Sequence, residues 1–236
     1  MLVVGAALRE RRFQMKTRRT ISSALFAALL LRFAFSNGTI ARADEGPTFD
    51  GPISPPEAQF IQSMQDDLYR RFPHATDAEK AGYVRYTGID ETGSISYANR
   101  QWVSDPTHPS QLWYDKNGNL LGADFSVPRP NGEPRPHLWG IDPGRWVEFD
   151  GHVHYVLKDG TTGALSYDHW IWNHDFVAAG GSLDNPSADI VVKLGKATST
   201  SSLVTIFEFP TIWDLIVWVK TNPDGAFAYK NPSVTP

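Results

Sequence analysis

The sequence predicts an α+β fold: N-terminal helices, then a curved antiparallel β-sheet or open barrel containing two equivalent hairpins, then a late C-terminal helix. Three observations predict it. Apolar side chains recur at helical spacing just before residue 73. Strand-like segments separated by turn residues dominate from residue 82 onward. One hairpin-like segment occurs twice, at 82–102 and 151–172.

The elements follow in chain order. Residues 44–54 are rich in Gly, Pro and Asp and read as a flexible leader to a single domain over 55–236. Ser54, Pro55, Pro56 and Glu57 then form a helix start, with Ser54 as cap and Glu57 closing a capping box. Phe60, Met64, Leu68 and Phe72 make one apolar stripe, and Pro73 ends the helix. Thr76 to Glu79 repeats the capping signature and predicts a short second helix to about Ala81. Residues 111–127 read as a hairpin with Asn117-Gly118 at its turn. Pro128, Pro130, Pro134, Pro136 and Pro143 mark 128–144 as a long extended loop, and 180–186 is a second turn-rich loop. Residues 189–194 and 202–209 read as strands. The segment 211–220 is bracketed by Pro210 and Pro223; Ile212, Leu215, Ile216 and Val219 fit a helical face, so a helix is expected there, although the β-branched and aromatic content also allows a strand.

In the repeat, Gly82, Val84, Tyr86, Asp90, Gly93, Ser96, Tyr97 and Trp102 coincide with Gly151, Val153, Tyr155, Asp159, Gly163, Ser166, Tyr167 and Trp172, with one residue inserted in the second turn. The match extends beyond the turn to both flanks, whereas shared turn chemistry alone would confine it. It predicts related places for the two hairpins in one sheet.

The second copy carries the candidate site. With its turn at Asp159 to Thr162, His152 faces His169, His154 faces Tyr167, and Val156 faces Leu165. Side chains alternate along a strand, so His152, His154 and His169 share one face, their Cβ atoms roughly 5 Å apart across the ladder. Such a cradle suits one divalent transition metal, with Tyr167 beside it to transfer protons. A register slip of one residue would move His169 to the other face. In the first copy these positions are Tyr83, Arg85 and Asn99, so the hairpin can be built without the histidines. The His152-Val153-His154 strand with a later histidine resembles cupin-type metal proteins over the hairpin alone; their glutamate after the pair and their glycine and proline pattern are missing. Arg129, Arg135 and His137 in the proline-rich loop are candidates to close over a pocket and hold an anionic ligand. Trp170 and Trp172 share a face with Val153 and Tyr155 in the expected register, which favours core packing.

The ends and the composition bound the function. Lys16, Arg18 and Arg19 precede a mostly apolar run at 24–35 and an Ala41-Arg42-Ala43 site, which together read as a cleaved secretory signal. Residues 1–14 read as an upstream extension, and Arg18-Arg19 leaves the twin-arginine route open beside ordinary secretion. Residues 1–43 hold 8 of the 22 Lys and Arg and 1 of the 26 Asp and Glu, which leaves 14 basic and 25 acidic residues, a net charge of −11, on the mature chain. That charge argues against nucleic acid and anionic membrane surfaces as partners. There is no cysteine, so thiol chemistry is excluded and His, Asp and Glu are the metal ligands to consider. The expectation is an exported, periplasmic or extracellular soluble protein that binds a small ligand or a divalent metal in a sheet-lined pocket. A metal-dependent oxygenase or hydrolase using the three histidines, or an envelope structural protein, are the alternatives.

Overall fold

The structure, a computed structural model, describes residues 47–90 and 92–236. The segment 1–43 read as a signal lies outside the described residues. Helix α1, Pro55–Arg71, opens as expected: Ser54 Oγ accepts from Glu57 N at 3.4 Å, and the Glu57 carboxylate accepts from Ser54 N at 2.8 Å. Helix α2, Ala75–Lys80, follows the break at Pro73. Phe60, Met64 and Leu68 form the buried stripe of α1.

Strands β1 (Val84–Arg85), β2 (Ile95–Ala98), β3 (Gln111–Tyr114), β4 (Leu120–Pro128), β5 (Val147–Phe149), β6 (His152–Lys158), β7 (Leu165–Trp172), β8 (Leu203–Phe209) and β9 (Ile212–Trp218) build two antiparallel sheets. The larger has the order β1-β2-β3-β4-β9-β5 and the smaller the order β7-β6-β8. The Asn117-Gly118 turn joins β3 to β4: the Asp115 carboxylate accepts from Asn117 N and Asn119 N, and Gly118 takes φ +78°, which glycine adopts without a Cβ clash. Helix α3, Asn173–Ala178, and helix α4, Ala188–Lys193, flank the loop 179–187.

Alternation along the strands sorts the large sheet into two faces. Leu112, Tyr114, Ala123, Phe125, Trp213, Leu215 and Val217 pack with the stripe of α1. Phe60 meets Phe125 edge-on, with ring centroids 5.8 Å apart, and stacks on Trp139. The opposite face carries Trp113, Leu121, Val147, Ile216 and Trp218 together with buried polar residues. Tyr86, Ala98 and Trp102 cluster there with Phe207 of the small sheet, and Phe149 reaches Phe209. The other face of the small sheet, Val153, Tyr155 and Ile171, packs against Phe176 of α3 and Val191 of α4. The layers therefore run α1, six-stranded sheet, three-stranded sheet, α3 with α4. Neither sheet closes into a barrel.

Four expectations change. The late helix is strand β9. All seven of its residues are buried, because it lies between β4 and β5 with layers on both sides. A helix would have buried only the Ile212, Leu215, Ile216, Val219 stripe. The expected strand at 189–194 is helix α4, with Asp189 in its first turn, Lys193 in its last, and Gly195 at φ +69° just beyond. Of the leader, residues 47–54 are tied down rather than loose. Arg145, 4 % exposed, donates to the carbonyls of Phe49, Gly51 and Pro52 and to Glu57, and Thr48 N and Phe49 N donate to Gly144 O. The repeated hairpins lie in different sheets.

Candidate functional site

The two hairpins also differ in register. In the first, Val84 pairs with Ala98 and Arg85 with Tyr97. The matching pairing in the second would join His154 to Tyr167. Instead His152 pairs with Trp172, His154 with Trp170 and Tyr155 with His169. Two features shift it. The connection takes six residues rather than four: Asp159 N donates to Ala164 O, Gly163 N donates to Asp159 O, and Gly163 sits at φ +73°. A bulge then sets both Tyr167 and Asp168 against Val156, with Asp168 at φ +64°. Asp168 is held in this backbone form by accepting from Gly88 N with both carboxylate oxygens, at 3.1 and 3.0 Å. The net offset is odd, so His169 leaves the face of His152 and His154. It stacks on Tyr155 and bonds Ser166. The three-histidine cradle does not form.

His152 and His154 remain together on the inner face, 1 % and 4 % exposed. Phe209 and Phe207 of β8 stand opposite them and stack on the two rings. Tyr86 meets His154 with centroids 4.6 Å apart, and half-buried Trp170 and Trp172 flank His152. The Asp150 carbonyl only accepts, so His152 Nδ1, 2.7 Å away, carries the hydrogen. In a neutral ring Nε2 is then an acceptor, and His154 Nε2 donates to it at 2.9 Å. This leaves His154 Nδ1 as a buried acceptor without a hydrogen bond. The His169 backbone favours the charged form of the ring, but no hydrogen bond to Nδ1 meets the geometry. Burial drives the pKa of His152 down to about 4, against the opposing pull of the Asp150 carbonyl. Burial, then the neighbouring His152, holds His154 well below the usual histidine range.

Across from this pair, the inner face of the large sheet holds a buried polar network. Asp214 accepts from Ser126 Oγ and, at 3.1 Å, from Gln111 Nε2. Because Nε2 of Gln111 faces the acid, its Oε1 accepts from the Tyr86 hydroxyl. Ser126 also meets Ser110 Oγ at 2.6 Å. Asp124 accepts from Trp113 Nε1 at 3.1 Å through Oδ2, and its Oδ1 is buried without a partner. Tyr86 thus touches both polar groups, the acids through Gln111 and the imidazoles through its ring.

The remaining expected site residues lie elsewhere. Tyr167 carries the Arg85 guanidinium over its ring, 4.2 Å from the centroid. Arg129 and Arg135 stack over Trp213, whose Nε1 donates to Glu133 O. Trp213 belongs to the core on the α1 side, so this loop covers the opposite face from the imidazoles. Arg129 pairs with Glu148 and Arg135 bonds Thr48. His137 is exposed. Sequence reasoning missed Tyr86, Gln111, Asp124 and Asp214. A signal existed for the acids: each is the one charged residue of a largely apolar strand, where carboxylates are rare unless partnered.

No protein-family model, curated protein or solved structure matches this chain. Among the described residues no helix is long and apolar enough to cross a membrane.

Proposed function

We propose that this chain is an exported protein that binds a divalent transition metal ion or a small ligand on the inter-sheet surface around His152 and His154. The observation that carries the reading is the convergence of two neutral imidazoles, with Nε2 atoms 2.9 Å apart. Neutral imidazole is the ligating form, and burial keeps His152 neutral down to about pH 4. The Asp150 carbonyl orients the His152 ring from behind, as outer partners do for metal-bound histidines. Among the described residues no three His, Asp or Glu side chains group to hold an ion. With the His154 ring hydrogen moved from Nε2 to the unpartnered Nδ1, two protein nitrogens would be completed by water or a small molecule, the open coordination that ligand-exchanging sites keep. A second reading rests on His154 Nδ1, an unpartnered buried acceptor: a metal-free ligand that donates an N–H or O–H there would satisfy it, with Trp170 and Trp172 at its edge.

The test is metal content by elemental mass spectrometry on untagged protein, beside a His152→Ala, His154→Ala double variant and a His169→Ala variant. Near-stoichiometric metal is expected in the parent and in His169→Ala, and none in the folded double variant. No metal in the parent after reconstitution with zinc, copper, iron and manganese removes the metal reading. Export is tested separately: secreted protein is expected to begin at Asp44.

A further inference from the structure

Asp124 and Asp214 are a second feature of the inner surface, independent of the histidines. They sit on neighbouring strands and the same face. Asp124 is opposite Ile216 and Asp214 is opposite Ser126, which makes the acids diagonal neighbours, roughly 7 Å apart at most by Cβ. They are 5 % and 0 % exposed. Every hydrogen-bond donor that reaches them is neutral: Ser126 Oγ and Gln111 Nε2 for Asp214, Trp113 Nε1 for Asp124. Among the described residues, no Lys, Arg or His bonds either carboxyl. The other groups around them are Ser110 beside Ser126, Val147 of β5 opposite Asp214, and Tyr86, on which both acids act electrostatically. Two carboxylates without a counter-charge are not tolerated in such an interior; a proton is the cheapest neutraliser.

We propose that Asp124 and Asp214 retain a proton between them in the native protein, and that this proton locks the two sheets together until alkali removes it. Its loss leaves two like charges on one buried face, relieved by entry of water or separation of the sheets. Asp214 orients Gln111, Gln111 holds the Tyr86 hydroxyl, and Tyr86 packs on His154 and Phe207. Opening at the acids therefore reaches the inter-sheet surface through Tyr86.

The sign follows from the raised affinities. Burial, then the charge of Asp214, holds Asp124 well above the carboxylate range. Burial also pushes Asp214 up to about 7, against its Ser126 and Gln111 hydrogen bonds. The unfolded chain releases these protons near pH 4. The native state binds more protons across that interval, so the stabilisation is complete below about pH 4 and is lost as pH rises through about 7.

Difference infrared spectroscopy on the full chain with isotope-labelled aspartate tests it. A protonated aspartate carbonyl band is expected at about pH 6 that the Asp124→Asn, Asp214→Asn double variant lacks, and it is lost from the parent in alkali. The melting temperature of the parent, taken relative to the double variant so that the histidine limb cancels, is expected to fall progressively from about pH 5 to pH 8. Absence of the labelled band in the parent overturns the proposal, as do parallel melting profiles in parent and double variant. Should the double variant fail to fold, a shift of the band in a folded Asp124→Asn or Asp214→Asn variant supports the shared proton, and an unshifted band in both overturns it.

Discussion

The six-stranded sheet buries carboxyl groups on its inner face, and the three-stranded sheet buries imidazoles on the surface that meets it. Neither group has an ionic partner among the described residues, and in both burial favours the neutral form. For the acids that means keeping a proton, and for the imidazoles it means losing one. One physical cause thus gives opposite pH responses on two facing surfaces, and only between the two titrations are the imidazoles neutral while the acids keep their proton. Tyr86 is the residue they share. The difference shows that the polarity of a buried site is set by which proton state the surroundings can hold, not by the charge of its residue types in water.

The comparison can be broken at either face. The largest effect is expected from Asp214→Ala, which strips the acceptor from buried Ser126 and Gln111; it should cost about 3 kcal/mol in urea denaturation near pH 6. Asp214→Asn keeps the shape and should cost much less there, then exceed the parent's stability in alkali. Equal losses in the two variants would mean that the proton state does not matter. Next comes the acid limb of the imidazoles. His152 titrates at about 4 in the native protein and near 6.5 when unfolded. Its contribution is complete above about pH 6.5 and lost as pH falls toward 4, a change of about 3 kcal/mol. His152→Asn should shrink that limb, the buried His154 keeping the rest, and leave the alkaline limb intact. A variant that flattens both limbs would show the two faces titrating as one unit. Tyr86→Phe leaves the Gln111 carbonyl oxygen without its donor and should cost about 1–2 kcal/mol; a near-zero cost would uncouple the faces. The smallest effect is expected from His169→Ala, less than about 1 kcal/mol in the same denaturation, because the ring is half-buried on the side away from the pair. A large loss of stability or of metal in that variant would restore the three-histidine arrangement.

The amino-acid sequence determined the parts whose physics is local. The capping box of Ser54 and Glu57, the every-fourth-residue stripe of α1, and the Asn117-Gly118 turn all depend on neighbours a few residues away, and each formed as read. It also determined that His152 and His154 share a face, since alternation along one strand requires no partner. What tertiary structure decided was everything that depends on an opposing surface. Residues 212–218 carry apolar side chains on both helical and strand periods, and only layers on both faces of β9 make the strand better buried. The pairing of β6 with β7 depended on a six-residue connection and on a bulge at Asp168. That bulge exists because Gly88, far along the chain, offers its N–H to the carboxylate. The acid pair is the same case: Asp124 and Asp214 are 90 positions apart in the sequence, and only the pairing of β4 with β9 makes them neighbours. Local backbone chemistry is written in adjacent residues, whereas register and burial are set by contacts that exist only once the chain has closed on itself.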